Sequence, residues 1–344
     1  MKIAQIAPIA ERVPPKKYGG TERIVSALTE ELLKRGHEVT LFASGDSITH
    51  AKLESVFPRG LREAHFKDIY GTNNWSLLNL GLAYELQDDF DIIHDHLAPI
   101  SVPAANIATT PVVMTMHGPF TADNRRIFQT LRNPYIVTIS QSQAYPVPSM
   151  NHAGTVHHGL PMQDYPFGEE PEGYLLIVGR ICMEKGTHLA IEVAVQLDKP
   201  LIIAAKLEST DRAYFREYVE PRLSDRIRWV GEVDEEERNR LMSKADCLLH
   251  PVTWREPFGL VIIEAMACGC PVIGFNRGAV PELIETGKTG FVVEDIEGMI
   301  DAVQSVSGIS RAACREHALE NFSVERMAAE YEEIYKKILS PKSE

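Results

Sequence analysis

No apolar run in these 344 residues approaches the roughly 18 that a transmembrane helix needs. Cysteine is scarce. Cys182, Cys247, Cys268, Cys270 and Cys314 form an odd, scattered set, which suits a reducing cytoplasm and not a disulfide framework. Cys268 and Cys270 make the only close pair, and no second pair stands at metal-ligand spacing. Positive charge is in deficit: 35 Lys and Arg face 48 Asp and Glu, a net −13. A nucleic-acid binder needs a basic face, so that class is excluded, and anionic lipid has nothing to attract it. A local basic pocket for a phosphate stays open. The sequence has neither the dinucleotide pattern GxGxxG, nor a P-loop, nor an Asp-x-Asp metal motif. Its start, MKIAQIAPIA, is broken by Gln5 and Pro8 and followed by Glu11 and Arg12, so it reads as a first buried strand and not as a leader.

What is present is an ordinary globular composition, 44% hydrophobic and 24% charged, long enough for two domains. Short apolar runs alternate with amphipathic stretches, the mark of an α/β chain with parallel sheets. KIAQIAP, HEVTLFAS, DIIHDH, PVVMTMH and YIVTIS read as strands. Ile24, Val25, Leu28, Leu32 and Leu33 share one face of a helix from Thr21 to Arg35. Between Ser140 and Pro171 five prolines crowd a stretch with little periodicity, and an interdomain connection is expected there. The alternation then restarts with YLLIVGR, LIIAAK, IRWVGEV, CLLHPV and PVIGF. The expected architecture is two facing doubly wound, Rossmann-like domains with a cleft between them. One covers residues 1–156 plus a returning C-terminal helix at 325–344, and the other covers 157–324.

Three motifs carry chemistry. Gly19-Gly20 lies where the first strand turns into a helix. It lets backbone approach a ligand, and the helix start offers N–H groups and a positive dipole end to phosphate. A plain tight turn explains the pair equally well. Gly179-Arg180-Ile181-Cys182-Met183-Glu184-Lys185-Gly186 places two cations at the carboxyl end of a strand, where open α/β sheets bind ligands. Arg180 can grip a phosphate with two parallel N–H bonds, and Lys185 is a point charge, so together they suit a leaving diphosphate; a solvated basic turn is the plainer reading. The third is Glu256-Pro257-Phe258-Gly259-Leu260-Val261-Ile262-Ile263-Glu264, with two carboxylates eight residues apart across a helix expected to begin near Phe258. Eight helical residues rise about 12 Å, comparable to the span from a sugar to a ribose across a diphosphate. The amides of Phe258, Gly259 and Leu260 would point at the phosphates. Glu264 sits inside the apolar run LVIIEAMA, where a carboxylate without a partner is costly; a neighbouring Lys or Arg could satisfy it.

The order YGG, GRxxxxKG and EPFGLxxxEAMACGxPV, with PVVMTMHG and GAVPELIETGKTGFVV, closely resembles family 4 glycosyltransferases, retaining enzymes of the GT-B fold, along nearly the whole chain. The start resembles a bacterial glucosyltransferase-like subgroup. The resemblance implies a hexosyltransferase moving glucose from UDP-glucose to an acceptor hydroxyl, in envelope or exopolysaccharide assembly or small-molecule glycosylation. It assigns catalytic roles to His117, Glu256, Arg180 and Lys185. Donor contacts fall to Gly19, Gly20, Arg180, Lys185, Gly231, Glu256, Phe258, Gly259, Leu260 and Glu264. Glu256 would hold donor-sugar hydroxyls, Glu264 the ribose, and backbone near Gly231 the base. No cofactor and no metal are implied. Many relatives carry Asn-Gly where this chain has His157-His158-Gly159.

The acceptor is not named by any motif; a small molecule, a glycan or a lipid-linked sugar all fit, with Tyr18, His94 and His96 as candidate contacts. His94-Asp95-His96 is read with its two rings on opposite faces of the strand, an expectation that speaks against a metal cluster. Trp254, beside Glu256, is the better candidate for a site tryptophan than Trp229, which lies in a strand pattern. The expected location is cytoplasmic, with at most a peripheral visit to the inner membrane face. Two other classes compete: a sugar-nucleotide epimerase on the same fold, and a non-catalytic nucleotide-sugar-binding protein.

Overall fold

The computed structural model describes residues 1–17, 19–64 and 71–340 and divides the chain into two units. The N-terminal unit comprises Met1–Leu160 with Val324–Glu344, and the C-terminal unit Pro161–Ser323.

The N-terminal unit is built on seven strands: β1 (Lys2–Ile6), β2 (Glu38–Phe42), β3 (Lys52–Glu54), β4 (Ile92–Asp95), β5 (Val112–Thr115), β6 (Tyr135–Thr138) and β7 (His152–Thr155). They run in the order β3-β2-β1-β4-β5-β6-β7, every neighbouring pair parallel. The inner strands are almost wholly buried because helices cover both faces, which is why they read as unbroken apolar runs. Gln5 breaks that rule: it stands in the middle of β1 with no exposed surface. The chain steps outward from β1 to β3 and then returns to β4 on the other side. The reversal opens a crevice at the carboxyl ends of β1 and β4, where such sheets bind ligands.

The last helix, Val324–Leu339, packs against the helix Gly20–Lys34 of the same unit. Tyr331 and Tyr335, one turn apart on one face, are completely buried. Each ring removes enough surface from water for about 4 kcal/mol at the usual area coefficient, an upper bound. On its outer side Glu332 meets His37 at 2.7 Å.

The C-terminal unit repeats the design with β8 (Leu175–Arg180), β9 (Leu201–Lys206), β10 (Ile227–Trp229), β11 (Cys247–His250), β12 (Val272–Phe275) and β13 (Gly290–Val293). Their order is β10-β9-β8-β11-β12-β13, again all parallel, so the reversal falls between β8 and β11. All five cysteines are buried and free. Among the described residues no helix is long and apolar enough to cross a membrane.

Candidate functional site

The C-terminal unit gathers its chemistry at the β8–β11 reversal. Arg180 is the last residue of β8, and the short helical turn Met183–Lys185 follows it. Glu256 lies on the loop after β11. Lys185 Nζ is 2.6 Å from Glu256 Oε2, which also accepts a hydrogen bond from Trp254 Nε1 at 2.9 Å. The ammonium sits over the Trp254 ring, 5.2 Å from its centre. His250 Nε2 is 3.8 Å from the same carboxylate oxygen, and burial pushes that imidazole down to about 4. Burial by itself would raise Glu256. Lys185, His250 and the Trp254 N–H outweigh it and hold the carboxyl below its ordinary range. Glu256 is therefore an anion that three neighbours hold in one place.

Two glycines make this geometry possible. Gly278, at φ +64°, lies so close to the Glu256 backbone that a Cβ would come within 2.2 Å of its carbonyl oxygen, and the Ala279 amide bonds that same oxygen at 2.9 Å. A Cβ at Gly186, at φ +69°, would come within 2.1 Å of the Pro251 carbonyl. The Lys185 turn and the Glu256 loop are thus clamped onto neighbouring backbone.

Arg180 pairs with Asp211 at 3.6 Å and is 40% exposed, open to an incoming anion. The helix expected near Phe258 begins at Leu260 and runs to Ala267, with Gly259 as its N-cap and no side-chain cap. Phe258 is buried just before it. Glu264, inside that helix, is also buried; Arg238 reaches its Oε1 at 3.0 Å and the Tyr165 hydroxyl donates to the same oxygen at 3.3 Å. Gly231, at φ +82°, follows β10 at the same end of the sheet.

In the N-terminal unit the crevice residues are histidines. His96 follows β4 and His117 follows β5. The expectation that His94 and His96 point to opposite faces is corrected: residues two apart along a strand share a face, and the two rings lie 4.0 Å apart. His94 has no exposed surface. Its Nδ1 is 2.6 Å from the Tyr335 hydroxyl and its Nε2 is 2.7 Å from Thr115 Oγ1, so it supports the site from behind. His96 Nε2 is 2.8 Å from Gln5 Oε1, and its Nδ1 is 2.9 Å from His117 Nε2. His158 stacks on His117 with ring centres 5.1 Å apart. Burial lowers His117 to about 3 and places His94, His96 and His158 well below the usual imidazole range, so all four rings are neutral at pH 7. Asp95, between the first two, accepts from the Leu97 amide and the Ser101 and Tyr84 hydroxyls. Among the described residues no group of three or more His, Cys, Asp or Glu could hold a metal. Gly19 caps the helix that starts at Gly20. Tyr18 lies outside the described residues.

Residues 18–163 match glycosyltransferase family 4, and residues 165–316 match glycosyl transferases group 1. The chain belongs to glycosyltransferase family 4. It is 26% identical to a phosphatidyl-myo-inositol mannosyltransferase of Propionibacterium freudenreichii subsp. shermanii, over 85% of this chain and 81% of that one. In structure it resembles AviGT4, a glycosyltransferase involved in avilamycin A biosynthesis (TM-score 0.75, 23% identity, 98% of both chains). It also resembles Anabaena Alr3699/HepE, solved in complex with UDP-glucose (TM-score 0.74, 18% identity, 98% of this chain and 100% of that one). The fold is GT-B. The transferase is an enzyme of this family and moves a sugar from a nucleotide sugar.

Several residues that shape this candidate site carry no sequence signal. Arg238 reads as one more charge on an amphipathic helix, yet it neutralises Glu264. Asp211 and His250 belong to no motif. Gln5 looked like an interruption of an apolar strand. Trp254 was legible from its place beside Glu256, but as a site tryptophan and not as the donor that holds the carboxylate.

Proposed function

We propose that the transferase moves glucose from UDP-glucose to an acceptor hydroxyl with retention of configuration, in a reducing, cytoplasmic setting. The observation that carries this reading is the fixed Lys185–Glu256–Trp254 cluster at the β8–β11 reversal, with Arg180 close by in sequence and the Gly259–Leu260 helix start beyond it. In this reading the C-terminal unit binds the nucleotide sugar. Arg180, Lys185 and the Gly259 and Leu260 amides take the diphosphate, Glu256 accepts from sugar hydroxyls, Glu264 accepts from the ribose, and backbone at Gly231 faces the base. The N-terminal unit supplies Gly19, Gly20 and His117, with His96 on the acceptor side. The acceptor oxygen attacks the anomeric carbon from the face that UDP leaves. The bond from that carbon to the phosphate oxygen breaks, and the departing phosphate takes the acceptor proton. Charge builds on the diphosphate, so the cations stabilise the transition state more than the ground state.

The partition between diphosphate and nucleoside can be tested with Arg180→Ala. One charge-assisted contact contributes about 1.5–3 kcal/mol, so UDP affinity should fall roughly 10- to 100-fold while uridine affinity stays within about threefold. Equal losses for UDP and uridine in calorimetry would refute the placement of Arg180.

A further inference from the structure

The N-terminal unit holds a continuous hydrogen-bonded file from the C-terminal helix to His117. Tyr335 Oη is 2.6 Å from His94 Nδ1, and Gln5 lies between His94 and His96 with Nε2 3.4 Å from the first and Oε1 2.8 Å from the second. His96 Nδ1 then meets His117 Nε2 at 2.9 Å. Among the described residues His117 makes no other hydrogen bond. A neutral imidazole carries one donor and one acceptor nitrogen, so fixing one ring fixes the next. Only two proton orders fit the file, one the reverse of the other.

We propose that Tyr335 is a positioning residue that selects one order and thereby leaves His117 Nδ1 as a bare acceptor for a substrate hydroxyl. This extends the reading given above, in which His117 faces the reacting sugars. A phenol oxygen delocalises its lone pair into the ring, so it donates to an imidazole nitrogen better than it accepts from one. Tyr335 O–H therefore points at His94 Nδ1, and the His94 proton is on Nε2, donated to Thr115 Oγ1 at 2.7 Å. A lone pair at His94 Nδ1 repels a carbonyl oxygen, so the Gln5 amide turns its NH2 towards His94 and its oxygen towards His96. His96 must then carry its proton on Nε2 and accept at Nδ1. His117 consequently donates from Nε2, and its Nδ1 is unprotonated. The four rings in the file are buried or half-buried and neutral, so no added proton breaks the order. A tyrosine about one turn from the end of the last helix thus determines whether the crevice histidine accepts or donates.

Histidine 15N NMR on the intact protein reads this without any substrate. The proposal expects His94, His96 and His117 all protonated at Nε2 and bare at Nδ1; a proton on His117 Nδ1 would overturn it. Tyr335→Phe keeps the ring but removes the donor. It should move the His117 Nδ1 signal towards the protonated form and lower kcat about tenfold, the worth of one hydrogen bond, with UDP affinity unchanged. If both tautomer and kcat stay as in the native protein, Tyr335 has no such role. If the native tautomers are as expected but no nucleotide sugar is turned over, the relay stands and the UDP-glucose reading fails.

Discussion

Lowering the pH from 7 to 5 is expected to destabilise the N-terminal unit by about 4 kcal/mol. His94, His96, His117 and His158 are held neutral in the fold but are free to protonate near pH 6.5 when unfolded. The unfolded chain then binds more protons than the native one, so stability falls as pH drops below 6.5. Each ring costs about 2 kcal/mol across this interval. Two carboxyls act the other way. Burial raises Glu22 to about 7 and Asp95 to about 6, so both take up protons in the folded unit first and together return about 3–4 kcal/mol. The histidines outweigh them. Since a whole domain is stable by only about 5–15 kcal/mol, the loss is large. Urea midpoints at pH 7 and 5, with hydrogen exchange at the β4 and β5 amides to isolate this unit, measure it. A midpoint that does not move would mean that the rings are already charged in the native protein.

The second large effect is expected for Glu256→Gln: transfer should fall by roughly 10²- to 10³-fold. The substitution keeps the shape and a hydrogen-bonding group but removes the charge that, in the proposed reading, faces the sugar as positive character develops at the anomeric carbon. It also releases Lys185, 2.6 Å away, from its partner, so UDP affinity should hold or rise. Loss in kcat with binding retained is the pattern of an interaction made in the transition state. Transfer at the native rate would remove Glu256 from the reaction. Parallel loss of UDP affinity and turnover would make its role a structural one.

These effects rest on residues of unequal visibility in the sequence. Strands that lie inside both sheets, such as β1, β4, β8 and β11, were legible because burial on both faces demands unbroken apolar runs. Of the four edge strands, β10 was read from IRWVGEV, but β3, β7 and β13 were not, because an edge strand needs no such run; β7 is hidden in the proline-rich stretch after Ser140. Arg180, Lys185 and Glu256 were legible because charged residues at the carboxyl ends of inner strands have little structural reason to be there. Their partners were not: Asp211, Arg238 and His250 reach the site through tertiary contacts that leave no spacing in the chain. The His94–His96 contact escaped because the period of two, which puts residues i and i+2 on one face, was misapplied. The returning C-terminal helix gave no sign that the hydroxyls of Tyr331 and Tyr335 meet Thr115 and His94.

Calorimetric titration with UDP-glucose, UDP-N-acetylglucosamine, GDP-mannose and ADP-glucose, without added metal, tests the central claim most directly. UDP-glucose is expected to bind most tightly, with the affinity lost in Arg180→Ala. Preference for GDP-mannose or ADP-glucose would contradict the donor assignment, and binding of none of the four by the folded protein would contradict the nucleotide-sugar site itself.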